Sequence, residues 1–282
     1  MEKIKKFPSI RVFTFEVFLF SMTLGLGIVA AFKINQIAKI QELTIPKISF
    51  FQFILSFLFA TAFILFVIKF LKFKKPRGII FKLLFVSAVF LGGVLLLSLW
   101  IPDFFAILLI LVLIYLWFKK PSILIQDILI ILGIAGTGSF LGLSLDPLMI
   151  IVLLIIFSIY DFIAVYKTKH MIKMAKEMIE SKAILALVVP PDIFSFREKL
   201  EKIKPGGKFL ILGGGDIVFP LLFCSSLVKE GILVPLIVAI FSLLGLLAGF
   251  LFFISQKERK PIPALPPIAL FSIIGYFLTR LI

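Results

Sequence analysis

Two aspartates lie deep within apolar stretches of this sequence, and their type and spacing suit them best to chemistry. Asp161 lies about five residues from the end of one apolar stretch, and Asp216 lies about nine residues from the start of the next. If both stretches are helices, these offsets place the two carboxyls roughly 8–14 Å below the same membrane surface. A carboxyl inside a membrane is energetically unfavourable, so each aspartate marks a functional site by default.

A pair of carboxyls at one depth is suited to acid–base chemistry on an amide. Two like charges in a low-dielectric medium disfavour each other, so one carboxyl stays neutral while the other is ionised. The ionised aspartate takes a proton from a water molecule as that water attacks a carbonyl carbon, and the neutral one donates a proton to the carbonyl oxygen. This reaction needs neither a metal nor a covalent intermediate.

Other reactive side chains are few. His170 is the single histidine, on a basic loop, and Cys224 is the single cysteine, within an apolar stretch. A histidine with no second ligand nearby does not make a zinc site, and a lone buried cysteine behaves as a small hydrophobe. We therefore expect no metal and no cofactor. Four further carboxyls lie near helix ends and are expected to reach the membrane interface: Glu16, Asp103, Asp127 and Asp146.

Glycines precede the second aspartate in the stretch Leu212-Gly213-Gly214-Gly215-Asp216. The stretch lacks the later glycine, lysine and serine or threonine of phosphate-binding loops. Two interpretations remain. The missing side chains either let another backbone approach Asp216 closely, or they serve only tight helix packing.

Prolines open the last apolar stretch in Pro263-Ala264-Leu265-Pro266-Pro267. Three prolines in five residues remove backbone donors and prevent a regular helix. Irregular backbone at membrane depth persists only where protein or a water-filled cavity covers it. Taken alone, the segment is also compatible with a simple proline-rich helix start.

The composition of the whole chain indicates a membrane protein. Of 282 residues, 61% are hydrophobic and 16% charged, with a mean hydropathy of +1.20. A soluble core of this size cannot bury so much apolar surface, whereas stretches of about 20 residues suit a membrane. The net charge of +15 does not indicate nucleic-acid binding, because the basic residues lie in loops between apolar stretches.

We predict an all-α polytopic membrane protein with nine transmembrane helices in the cell membrane. The first stretch lacks a cleavage site and is expected to be retained. The predicted helices span residues 13–34, 49–71, 78–100, 103–118, 122–143, 147–166, 207–228, 232–253 and 263–282.

Charge fixes the predicted orientation, because most of the 30 lysines and arginines fall on one side. The N-terminus is then cytoplasmic and the C-terminus outside. The chain divides into a six-helix half (1–166), a cytoplasmic loop (167–206) and a three-helix part (207–282). In the loop, Lys167 to Lys182 predicts a basic amphipathic helix at the leaflet surface. The apolar segment 183–191 predicts either a surface-lying segment or a strand or plug near the catalytic helices.

Three motifs in this order resemble the presenilin and signal peptide peptidase group of aspartyl proteases. These are Tyr160-Asp161 in the sixth predicted helix, the Gly213-to-Asp216 stretch in the seventh, and Pro263-Ala264-Leu265-Pro266 at the ninth. The residues from Tyr160 to Met171 are similar to archaeal presenilin homologues in particular. The motifs cover the C-terminal half, whereas the first five helices match only in number and spacing. Gly214 departs from the pattern, in which a larger residue usually lies between the motif glycines.

The resemblance implies that Asp161 and Asp216 are the catalytic pair. It implies that Pro263, Ala264 and Leu265 shape the active site and receive substrate, and it places three more residues at the substrate: Tyr160, Gly213 and Gly215. It also implies cleavage of single transmembrane helices. A cytoplasmic N-terminus favours the presenilin-like topology, and hence substrates with an outside N-terminus.

Two other functions fit some of these features. A transporter or proton channel also uses buried carboxyls as a relay and also contains broken helices. An inactive relative would bind membrane helices without cleaving them, but both aspartates are present. The expected partners are transmembrane peptide substrates and the lipid bilayer, with no nucleic acid. A homo-oligomer is compatible with the sequence, and obligate partner subunits are not implied.

Overall fold

The fold is a bundle of apolar helices with a small antiparallel sheet. Our computed structural model describes residues 10–70, 74–168, 170–204, 207–256 and 260–281. The elements in these residues are α1 (Ile10–Ile40), α2 (Phe50–Phe70), α3 (Lys74–Leu97), α4 (Asp103–Lys119), α5 (Ile123–Ser144), α6 (Pro147–Tyr166), α7 (His170–Ser181), β1 (Ala186–Val189), β2 (Leu210–Gly213), α8 (Gly214–Ser226), α9 (Leu233–Ile254) and α10 (Leu265–Thr279).

Apolar length and local capping explain the helices. Within the described residues, five helices are long and apolar enough to cross a membrane, namely α1, the part of α3 from Ile79, α5, α6 and α9. The Ser122 side chain accepts the backbone N–H of Ile125 at the start of α5, and Asp146 accepts that of Leu148 at the start of α6. The helical membrane class is confirmed, and the count of nine spans and the side of each terminus stay predictions.

The predicted seventh helix is wrong at its start. Residues 207–213 were expected to be helical, but the chain forms strand β2 there and α8 begins at Gly214. Glycine is a poor helix former, and β1 offers the backbone partners that a helix would otherwise provide. The predicted ends at residues 71 and 282 lie outside the described residues.

The loop between α6 and α8 folds against the helices. The predicted amphipathic segment forms α7, and the apolar segment after it forms strand β1, as one of the two interpretations expected. All four residues of β1 are buried. β1 and β2 pair antiparallel, with Ala186 opposite Gly213 and Val189 opposite Leu210.

Small residues let the helices that carry the site pack closely. α5 lies at the centre and packs against α1, α3 and α8. A Cβ added at Gly245 of α9 would lie 2.6 Å from Ile268 Cα of α10, so these backbones touch where a side chain would hold them apart. The Ser242 and Ser272 hydroxyls join the same two helices at 2.7 Å. α10 also packs against α6, which brings the proline motif next to Asp161.

Candidate active site

Asp161 lies on the inward face of α6. The buried residues of this helix include Leu153, Leu154, Asp161, Ala164 and Val165, which recur at helical spacing and form one stripe. Asp161 is 5% exposed, whereas its neighbour Tyr160 is 57% exposed on the outer face of the helix. The structure therefore does not bring Tyr160 to the other predicted site residues.

Asp216 lies in the first turn of α8, directly after β2. Its side chain is 7% exposed. The N-terminal end of a helix carries a partial positive charge, which favours a carboxylate in the first turn. The strand before it and the helix after it thus hold Asp216 at a defined place in an otherwise apolar region.

The two aspartates lie close enough for their charges to interact. The backbone N–H of Leu265, at the start of α10, acts electrostatically on the Asp161 carboxyl. Neither oxygen of Asp161, however, meets full hydrogen-bond geometry with any described residue. The carboxyl is therefore buried, close to a second carboxyl, and left with acceptor capacity for a ligand or a water molecule.

A cavity of about 440 Å³ opens beside Asp216. Four of the predicted site residues line it, namely Gly213, Gly215, Asp216 and Ala264. Leu265 does not line the cavity, but its backbone N–H lies near Asp161. Pro263 is buried just before α10 and does not line the cavity either. All of β2 lies along the cavity wall. The structure thus brings the glycine motif, one aspartate and part of the proline motif to one opening.

Gly214 is required for the close approach of another backbone. Its N–H donates to the carbonyl oxygen of Leu185 at 3.1 Å, and a Cβ added at Gly214 would lie 2.8 Å from the same oxygen. Of the two interpretations of the glycine stretch, close backbone approach therefore holds at Gly214. At Gly215 the nearest atom to an added Cβ is 4.0 Å away.

Gly214→Ala is therefore expected to lower the thermal midpoint, and Gly215→Ala is expected to leave it nearly unchanged. The first change forces a backbone carbonyl to move, which costs about 1–3 kcal/mol in a packed region. Thermal unfolding of both variants in detergent measures the difference. Equal midpoints for the two variants would contradict this role of Gly214.

The sequence did not predict the burial of two carboxyls. Glu16 and Asp127 were expected to reach the interface, but they are 5% and 1% exposed. That prediction is wrong because the loop folds back over the ends of α1 and α5. Asp127 accepts the backbone N–H of Val188 in β1 at 2.9 Å. Glu16 lines the cavity, and its charge interacts with that of Asp216.

The outer edge of the sheet is closed by α5. The Gln126 side chain donates to the carbonyl oxygen of Ile184 and accepts the indole N–H of Trp117 at 2.7 Å. Ile184 lies just before β1, and the Asp127 bond to Val188 lies on the edge of β1 that faces away from β2. The sheet is consequently fixed to a transmembrane helix.

Surface ion pairs hold the rest of the loop. Lys208, just before β2, donates to Glu198 at 2.6 Å, and this bond holds the pKa of the Glu198 carboxyl below its usual range. Asp192 accepts the N–H of Ser195 at 2.9 Å, and its hydrogen bonds to Ser195 likewise lower the pKa of Asp192. Both carboxylates stay ionised at neutral pH, so the loop keeps its contacts there.

Two buried aspartates that interact within a bundle of apolar helices are the arrangement of an aspartyl protease embedded in a membrane. The family model described as signal-peptide peptidase, presenilin aspartyl protease matches residues 15–282. The chain belongs to this family and is a multi-pass membrane protease of the aspartic type.

Solved structures share the fold. Two structures of a presenilin family intramembrane aspartate protease, in space groups C222 and P2, match with TM-scores of 0.60 and 0.59. They are 22% and 24% identical in sequence and cover 93% of this chain and 94% and 96% of their own. A search of curated proteins finds no match. Within the described residues, no group of three histidine, cysteine, aspartate or glutamate side chains is placed to hold a metal ion.

Proposed function

We propose that this protein hydrolyses peptide bonds within single-span transmembrane helices, with Asp161 and Asp216 as the catalytic pair. The observation that carries the proposal is the pair itself, two buried carboxyls whose charges interact. One of them, Asp216, lines a cavity. The comparisons give no support to the transporter alternative, although that function also uses buried carboxyls.

The pair performs general acid–base catalysis. One ionised aspartate takes a proton from a water molecule, whose oxygen attacks the carbonyl carbon of the substrate amide. The neutral aspartate donates its proton to the carbonyl oxygen, which gives a tetrahedral diol. Collapse of the diol breaks the C–N bond. The aspartate that took the water proton gives it to the leaving nitrogen, and the other aspartate takes a proton from a diol hydroxyl, which restores the pair. The products are a new carboxyl end and a new amine.

A substrate helix protects its own amides by hydrogen bonds and must unwind before hydrolysis. The unwound segment needs an exposed backbone to pair with, and three stretches near the site are candidates: residues 183–189, the residues near Pro263, and β2. β1 is buried and its outer edge is bonded to α5, so it is closed to a further strand. Among the described residues, none pairs with the other edge of β2, and that strand lines the cavity. An extended substrate is better placed to add to β2.

The proposed topology fixes the direction of the substrate. With a cytoplasmic N-terminus, the sheet and the cavity lie at the cytoplasmic side of the bundle. A substrate with an outside N-terminus then runs through the aspartates and leaves along β2 towards the cytoplasm. Its residues on the C-terminal side of the cleaved bond are those that pair with the strand.

Cleavage of a reporter in heavy-oxygen water tests the function directly. The purified protein in lipid vesicles is incubated with a single-span peptide in H2¹⁸O, and the masses of the products are measured by mass spectrometry. We expect two fragments, with one ¹⁸O atom in the new carboxyl end, because water is the attacking group. An ion flux without peptide products would instead support the transporter alternative.

A further inference from the structure

The cavity beside Asp216 contains another acidic group that the two-aspartate mechanism does not use. Glu16 on α1 is buried and lines this cavity. Its Oε2 atom has no hydrogen-bond partner among the described residues. A buried carboxyl oxygen without a partner is unfavourable. Because Glu16 lines an open cavity, a ligand that enters the cavity can reach its carboxyl group.

Among the described residues, Glu16 forms no ion pair with a lysine or arginine. The charge of Asp216 acts on Glu16. Two exposed lysines, Lys176 and Lys260, also line the cavity. Glu16 and Asp216 therefore disfavour each other's charge at the same opening. A cation bound there would favour the ionised form of Glu16 and pair with it in a medium that screens charge only weakly.

The remaining lining suits the stem of a long basic side chain. Leu246, Phe250 and Phe253 of α9 line the cavity and supply an apolar wall. Lysine and arginine pack their methylene groups against such a wall while the charged head reaches a polar partner. The cavity thus offers an apolar side and an acidic end, which is the complement of one basic side chain.

We propose that Glu16 forms an acidic subsite that binds a lysine or arginine of the substrate on the C-terminal, cytoplasmic side of the cleaved bond. This inference rests on the proposed function and names the substrate class more closely. Membrane helices carry lysine and arginine at their cytoplasmic flank, which is the part that leaves along β2. Side chains alternate along a strand, so only every second substrate residue points towards Glu16.

A pair of reporter peptides tests the subsite with the full-length protein in lipid vesicles. The peptides are identical except at one position, which carries either lysine or methionine and is moved stepwise through the residues after the cleaved bond. When the lysine lies at one particular position, or at alternate positions, we expect wild type to cleave the lysine peptide with a kcat/KM about tenfold higher than that of the methionine peptide. A factor of this size corresponds to the contribution of one partly desolvated ion pair.

Variants assign the preference to Glu16. Glu16→Gln is expected to remove the preference for lysine, and Glu16→Asp is expected to keep part of it. Glu180→Gln is the matched control, because Glu180 is an exposed carboxyl of α7 outside the cavity lining. It is expected to keep the full preference, and the thermal midpoints of all variants check that they are folded.

Binding separates this inference from the proposed function. The two peptides are also titrated onto Asp161→Asn protein, which retains Glu16. Equal binding and equal cleavage of the two peptides by protein with Glu16 would overturn the subsite, as would a preference that survives in Glu16→Gln. Tighter binding of the lysine peptide that depends on Glu16, without cleavage by wild type, would support the subsite and overturn the protease function.

Discussion

Asp161→Asn and Asp216→Asn proteins are each expected to lose cleavage of a single-span reporter by about a thousandfold or more. Asparagine keeps the shape of the side chain, but it neither takes a proton from water nor donates an acidic one. In the proposed mechanism the two carboxyls act as a unit, so the double variant is expected to lose little more than either single variant. Reporter cleavage by purified protein in vesicles, followed to long times, measures the loss.

Stability distinguishes lost chemistry from lost structure. Each substitution removes one of two buried carboxyls that disfavour each other's charge, so the thermal midpoint is expected to stay the same or to rise. Asp146→Asn is the matched control for Asp161→Asn, because Asp146 lies at the start of the same helix, α6. Asparagine caps a helix as well as aspartate does. It is expected to keep full activity. Retained cleavage in either catalytic variant would show that the pair is not the catalytic one.

The aspartates and the helices were predictable because each has a local cause. A carboxyl within an apolar stretch is unfavourable wherever the stretch packs, so Asp161 and Asp216 stood out before any contact was known. The apolar stretches have the length of a membrane crossing, and most of the described helices follow them closely. The prolines also acted locally, since α10 begins only at Leu265, after Pro263.

Strand β2 was not predictable from its own residues. Leu210, Ile211 and Leu212 continue directly into an apolar helix, and a short apolar run does not distinguish a strand from a helix start. The strand forms because β1 pairs with it, and β1 lies about 20 residues earlier in the chain. The partner is therefore non-local, and the pattern around Gly213 carried no sign of it.

The burial of Glu16 and Asp127 was missed for the same reason. Each lies close to a helix start, where a side chain normally reaches water or lipid headgroups. The segment 183–189 covers the start of α5 and takes Asp127 into a hydrogen bond, and the cavity encloses Glu16. A residue's distance from a helix end thus predicts exposure only when no loop folds over that end.

Asp127→Leu is expected to lower both the stability and the activity of the protein. The carboxyl accepts the N–H of Val188 in the buried strand β1, and leucine leaves that donor without a partner. An unpaired buried N–H costs about 1–3 kcal/mol. Losing this hydrogen bond also loosens β1, which pairs with β2. Leu185, just before β1, accepts a hydrogen bond from Gly214, so the disturbance extends to the turn that positions Asp216. Reporter cleavage is expected to fall by about tenfold, which corresponds to about 1.4 kcal/mol.

Asp127→Asn separates the hydrogen bond from the charge. Asparagine keeps an oxygen that accepts the Val188 N–H, and its amide nitrogen takes the place of Oδ2, which has no partner among the described residues. If the hydrogen bond is what matters, Asp127→Asn keeps activity and thermal midpoint while Asp127→Leu loses both. Equal losses in the two variants would instead assign the role to the charge of Asp127. Positioning through the sheet also predicts that Asp127→Leu lowers kcat for a bound reporter, since Asp216 is then less well placed for the transition state.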